Sequence, residues 1–157
     1  MRLKFIVGGL LILVAVVYLI ISSTQANAQY FDTVDEILAR GQDAVGKNIR
    51  VSGAVLGDSI QYDSKTLNLQ FTIAHVPGDN KTIKEQGGLA AALHTAVTDP
   101  ARARLSIIYN GEVPDLLKNE AQAIAIGHMG ADGIFYADEL QLKCPTKYEE
   151  AVPEQSK

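Results

Sequence analysis

Cys144 and Tyr148 are the two residues whose types and spacing suggest chemistry, standing at the ends of Cys144-Pro145-Thr146-Lys147-Tyr148. Cys144 is the chain's single cysteine, so no intramolecular disulfide can form, and a thiol placed outside the cytoplasm either needs another reason to be there or is an inert buried thiol. It is the strongest soft nucleophile in the chain, reacting as thiolate. Lys143 and Lys147 flank it, and two readings are open: they favour the thiolate or meet ligand carboxylates, or they form a solvated basic edge. Pro145 keeps the intervening residues out of regular helix or strand, so Cys144 and Tyr148 can address different points of one ligand. By itself, Tyr148 reads as an exposed tail tyrosine.

The histidines offer less. His75 ends one strand pattern, His128 closes another and His94 lies in an Ala-rich helical stretch, and no two of them share a metal-ligand spacing. Structural or solvent roles are expected for all three. The chain shows neither a Gly-rich phosphate loop nor a recognisable nucleophile and base motif, which leaves an enzyme unsupported without ruling one out. A net charge of -4 provides no basic field for nucleic acid.

The elements that must position Cys144 begin with the N-terminus. Phe5 to Ile21 is an unbroken uncharged, mostly apolar run, close to the length that crosses a bilayer. Arg2 and Lys4 precede it while Asp32, Asp35 and Glu36 follow, so the rest of the chain is expected outside the cytoplasm. Ala26-Asn27-Ala28 would suit signal cleavage, yet the run exceeds a signal-peptide core and favours a retained anchor. Next, Thr33 and Glu36 have capping-box spacing, Ile37 and Leu38 supply apolar contacts and Gly41 is a stop signal, predicting a short helix over 32–40 that serves as a lid or lead-in.

Period-two alternation then takes over. Ile49, Val51 and Val55 oppose Arg50 and Ser52, with Gly53 marking a bulge or barrel bend; a second strand is expected at 59–62, and Leu67, Leu69, Phe71 and Ile73 alternate in a third. After His75 the Val-Pro-Gly-Asp-Asn stretch breaks the pattern, and residues 87–98 read as a helix inserted between strands, peripheral to the barrel. Strands are predicted at 105–109, 123–128 and 134–142, with one helical turn at 114–118. About six short strands with few helices fit an all-β chain, a small Greek-key barrel of the OB type. The tail from Glu149 has the composition of a disordered segment.

A series of phrases runs in order along the chain: Tyr30-Phe31-Asp32-Thr33-Val34-Asp35-Glu36, Gly46-Lys47, Arg50-Val51-Ser52-Gly53, Tyr109-Asn110-Gly111, Val113-Pro114-Asp115-Leu116 and Phe135-Tyr136-Ala137-Asp138-Glu139-Leu140, followed by Lys143, Cys144 and Tyr148. The order resembles cytochrome c maturation protein E, the haem chaperone family of c-type cytochrome biogenesis. That resemblance implies a membrane anchor and linker over 1–29, an extracytoplasmic OB-type barrel over 30–143, and a haem-binding motif with flexible tail over 144–157. It further implies covalent haem attachment at Cys144, axial ligation of the haem iron by Tyr148, and partnership with haem-delivery and haem-ligation membrane proteins and with apocytochrome c. Cys144 stands where the family usually has His, matching a cysteine-bearing branch. Two departures are a long insertion over 74–103 and Glu120-Ala121 where a Gly-Gln pair is common.

Two other functions compete. An OB barrel binding oligosaccharide or oligonucleotide would need aromatic platforms, whereas aromatics are 6% of the chain and Trp is absent. A thiol redox protein would need a second, resolving cysteine.

Overall fold

The computed structural model describes residues 11–18 and 31–144. The chain divides into two units, residues 1–30 and 31–157. In the first, residues 11–18 are helical. Among the described residues no helix is long and apolar enough to cross a membrane, and most of the expected span at 5–21 lies outside them.

The second unit is a closed five-stranded barrel with a two-residue strand added at its edge. Its strands are β1 (Asp32–Thr33), β2 (Asn48–Asp63), β3 (Asn68–Ala74), β4 (Arg104–Asn110), β5 (Gln122–Met129) and β6 (Phe135–Lys143). The order β1-β2-β3-β4-β6-β5 closes through a further pairing of β2 with β5. Apart from β1 against β2 and β4 against β6, which are parallel, the pairings are antiparallel. This is the Greek-key order of an OB barrel.

One long strand makes the closure possible. β2 pairs with β5 from Asn48 to Ala54 and with β3 from Ala54 to Asp63, so it must coil where it changes partner. Gly53 sits at that corner: a β-carbon there would lie 2.8 Å from the Ala74 carbonyl oxygen and 2.9 Å from Ile73 Cδ1. The strands expected separately at 47–55 and 59–62 are thus one strand, interrupted by an irregularity between Leu56 and Gln61. Ser59 patches the break, its hydroxyl donating to the Leu56 carbonyl at 2.6 Å and accepting from the Thr72 amide at 2.8 Å.

Inward residues fill the barrel in alternation. Val51, Val55, Leu69, Phe71, Ile73, Ile107, Ala123, Ala125 and Phe135 are fully buried in one core. Helix α1 (Val34–Arg40) seals one end with Val34 and Ile37, both fully buried. The expected capping box is present, with the Thr33 amide donating to Glu36 Oε2 at 2.7 Å, and Gly41 ends the helix. Leu38, expected to pack, is exposed because it lies on the helix face turned from the core.

The insertion forms two helices, α2 (Asn80–Glu85) and α3 (Leu89–Thr98). It is less peripheral than its composition suggests. Ala92, Leu93 and Ala96 pack with Ala54, Ala74 and Val76 in a second apolar cluster against the outer face of β2 and β3. The helical turn expected at 114–118 is a turn without helix, closed by the Leu117 amide donating to the Pro114 carbonyl at 2.9 Å.

Candidate functional site

The position of Cys144 is set by the phase of β6. Phe135 and Ala137 face the core, and simple alternation from there would send Leu140 and Leu142 outward. The register slips between Ile126/Gly127 and their partners, so that Gly127 pairs with Ala137 and Ile126 with Glu139, leaving Asp138 as the extra residue. This bulge shifts the phase by one. Leu140 and Leu142 then pack against the core, opposite Ala125 and Ala123.

Cys144 is next in that inward row, one step past the last ladder pair, Gln122 with Lys143. Continuing the register places it opposite Ala121, which is fully buried. Cys144 lies one residue beyond the end of β6 and is 7% exposed. Lys143 is exposed and belongs to the opposite face of the strand. Of the two flanking lysines, Lys143 therefore fits the solvated-edge reading. Pro145, Lys147 and Tyr148 lie outside the described residues.

The turn before β5, residues 118–121, is tied down on several sides. Glu120 adopts φ 64°, a left-handed conformation that Gly accepts more readily. Its amide donates to the Val55 carbonyl at 3.0 Å, and the Val55 amide donates to the Ala121 carbonyl at 2.9 Å. Asn119 Oδ1 accepts from the Gly57 amide at 2.9 Å. The Glu120 carboxylate reaches His94 Nδ1 on α3 at 2.8 Å. The composition signal at Glu120-Ala121 was visible in the sequence; its link to His94 was not, because it joins residues brought together by the insertion.

The other histidines have separate settings. His75 follows β3 with its side chain mostly buried and Nδ1 3.4 Å from Asp35 Oδ2. Burial lowers its pKa, and the opposing pull of Asp35 is smaller. His128 stacks on Tyr136, ring centroids 5.8 Å apart, while the Tyr136 hydroxyl donates to Asp132 Oδ2 at 2.7 Å. That bond raises the Tyr136 pKa and lowers that of Asp132. Among the described residues, no group of three or more His, Cys, Asp or Glu side chains could hold a metal ion.

A second surface feature escaped the sequence reading. The Arg50 guanidinium lies over the Phe31 ring, 5.0 Å from its centroid, joining the segment before α1 to β2. Nothing in the local pattern of either residue signals the pair.

With the barrel order and the Cys144 position established, comparison with known sequences decides the family. A family model described as the CcmE domain matches residues 28–95 and 79–151. The chain belongs to the CcmE family. The two matches overlap over residues 79–95, inside the α2 and α3 insertion. The cytochrome c-type biogenesis protein CcmE of Azoarcus sp. (strain BH72) is 33% identical over 147 residues, covering 94% of this chain and 82% of that protein. The protein of the same name from Nitrosomonas europaea is 29% identical, with coverage of 87% and 74%. The solution structure of the OB-fold domain of haem chaperone CcmE from Desulfovibrio vulgaris shares 21% identity at a TM-score of 0.41, covering 64% of this chain and 90% of that one. The OB assignment rests on the strand order above.

Proposed function

We propose that this CcmE-family chain is a haem chaperone of c-type cytochrome biogenesis, taking haem as transient covalent cargo and passing it to the apocytochrome c maturation machinery. Family membership is the observation that carries the reading, and the names of the relatives supply its setting. One N-terminal span would hold the barrel on the extracytoplasmic side, among haem-delivery and haem-ligation membrane proteins.

The available donors suit that cargo. Addition of the Cys144 thiol across a haem vinyl group is redox-neutral: sulfur bonds to one vinyl carbon, the proton ends on the other, and the C=C π bond is consumed. A Tyr148 phenolate is a hard oxygen donor of the kind that serves as an axial haem ligand and favours ferric iron. The barrel supplies a fixed mount, since Cys144 is anchored directly to β6.

The test is a haem stain on denaturing gels of membranes from cells making c-type cytochromes. Haem is expected to survive denaturation on a band of this chain's size and to vanish in Cys144→Ala with the protein level unchanged. Denaturation-resistant haem in Cys144→Ala would defeat the reading.

A further inference from the structure

One strand edge of the barrel stays open. β4 pairs with β6 only from Ile107 to Tyr109, against Phe135 to Ala137. Beyond that point Glu139 to Lys143 pair with β5 alone, and among the described residues no other backbone group bonds to their far side. Every second residue there turns its N–H and C=O away from β5. Leu140 and Leu142 pack toward the core from this stretch yet are only partly buried, which is what a gap in the wall beside them leaves. Glu139, Gln141 and Lys143 lie on the opposite face of the strand and are exposed. Gln141 Nε2 donates to Glu139 Oε1 at 2.6 Å. Among the described residues, neither Glu139 nor Lys143 has an ion-pair partner.

We propose that this edge pairs with the same edge of a second copy of the chain, antiparallel and centred on Gln141. A row of unmatched backbone donors and acceptors is satisfied by another strand, and the side chains decide which strand and in what register. Centring on Gln141 sets Glu139 of each copy opposite Lys143 of the other, and Leu140 opposite Leu142 on the inner face, each contact made twice as a two-fold axis demands. Centring on Glu139 or on Lys143 would instead bring two like charges face to face, which disfavours those registers. Across a strand pair the opposed charges are direct neighbours, with about 5 Å between β-carbons. Within one chain the same two residues stand about 13 Å apart along the strand and cannot meet. Charges on an edge ordinarily keep sheets apart; their order along β6 admits this one partner. The edge is short and the charges are exposed, so the association is weak and salt-sensitive.

Crosslinking of the full-length chain in membranes by a short bis-maleimide tests the register, in a Cys144→Ala background where the introduced thiol is the only one. Gln141→Cys, on the axis, is expected to give covalent dimer at least about fivefold above Lys65→Cys, an exposed position in the turn between β2 and β3. Sedimentation velocity of the full-length chain in detergent, with Cys144 in place, tests the charges. A monomer–dimer equilibrium that weakens with added salt is expected. Glu139→Lys and Lys143→Glu are each expected to weaken it about threefold or more, since each sets like charges opposite one another twice. The two changes together exchange the charges and are expected to restore the parent's association. All of these side chains are exposed, so the thermal midpoint of each charge variant is expected to stay near the parent's. A chain that stays monomeric, a crosslink at Gln141→Cys no stronger than at Lys65→Cys, or a combined variant no better than either single one overturns the pairing.

Discussion

Gly127 of β5 faces the Tyr136 carbonyl across the β6 bulge with no room between them: a β-carbon on Gly127 would overlap that oxygen and lie 2.8 Å from Ala137 Cα. The glycine is what lets β6 take in its extra residue. Both atoms in the way are backbone, so neither can swing aside. Gly127→Ala is expected to destabilise the barrel by about 1–3 kcal/mol, the usual cost of overpacking, read as a lower midpoint in urea unfolding. A midpoint equal to the parent's would mean that the bulge is not fixed by this contact.

The lead-in helix offers a cleaner local test. Thr33 accepts from Glu36 and the Glu36 carboxylate accepts in return from the Thr33 amide and hydroxyl, at 2.7 and 2.9 Å. Thr33→Ala removes the cap and is expected to cost about 1 kcal/mol. The bonds from Thr33 hold the Glu36 pKa below its ordinary value. A lowered carboxyl pKa means that the unfolded chain binds the proton more readily, so the stabilisation is present above the unfolded pKa and is lost as pH falls through the folded one. Urea midpoints for parent and Glu36→Gln are therefore expected to converge below about pH 4.

His75 carries the opposite chemistry with the same direction of effect. Burial lowers its pKa from an ordinary value of 6.5, favouring the neutral ring. The unfolded chain again binds the proton more readily, so this contribution is present above pH 6.5 and declines as pH falls through the folded pKa. His75→Gln is expected to flatten the fall in stability between about pH 7 and pH 5. The groups around it are Asp35 and Glu36 on α1 and Arg102 before β4; a steeper fall in the variant would show that Asp35 pairing, not burial, dominates.

These cases show why some of the fold was legible and some was not. The capping box at Thr33 and Glu36, the Gly41 stop and the alternation of Leu69, Phe71 and Ile73 depend on neighbours in sequence, and each appears in the structure. Gly53 signalled a bend because a glycine in a strand has few other uses. The merging of 47–55 and 59–62 into β2 was hidden, since the polar Asp58 and Ser59 resemble a turn until Ser59 is seen bonding to β3. At the site, the thiol was conspicuous by being single. Its inward direction was not, because that direction follows from a one-residue slip whose cause, Gly127, lies on another strand.

The insertion also behaves differently from its sequence pattern. An Ala-rich helix with no period-two strand suggests a dispensable loop, yet Leu93 is fully buried among Ala54, Ala74 and Val76. The alanines on β2 and β3 are small enough for α3 to pack close, and removing α3 would uncover them. Leu93→Ala is expected to cost about 2–5 kcal/mol, and a Gly-Ser turn replacing residues 78–99 is expected to lower the thermal midpoint. An unchanged midpoint in the replacement would return the segment to a peripheral role.

Tyr148 gives the sharpest separation of roles at the proposed haem motif. It stands four residues after Cys144, and its phenol oxygen is the ligand proposed for the iron beside the thioether proposed at Cys144. Tyr148→Phe keeps the ring and removes the ligand oxygen, so the denaturation-resistant adduct is expected to persist while the ferric absorption spectrum changes. Cys144→Ala removes the bond while leaving the tyrosine. Because Cys144 is buried, that change also deletes a sulfur from the end of the core, and its thermal midpoint must be measured alongside. Cys144→His introduces the residue that the family resemblance implies at this position and, on the proposed reading, is expected to hold haem through nitrogen. An unaltered absorption spectrum in Tyr148→Phe would remove Tyr148 from the iron while leaving Cys144 as the attachment point.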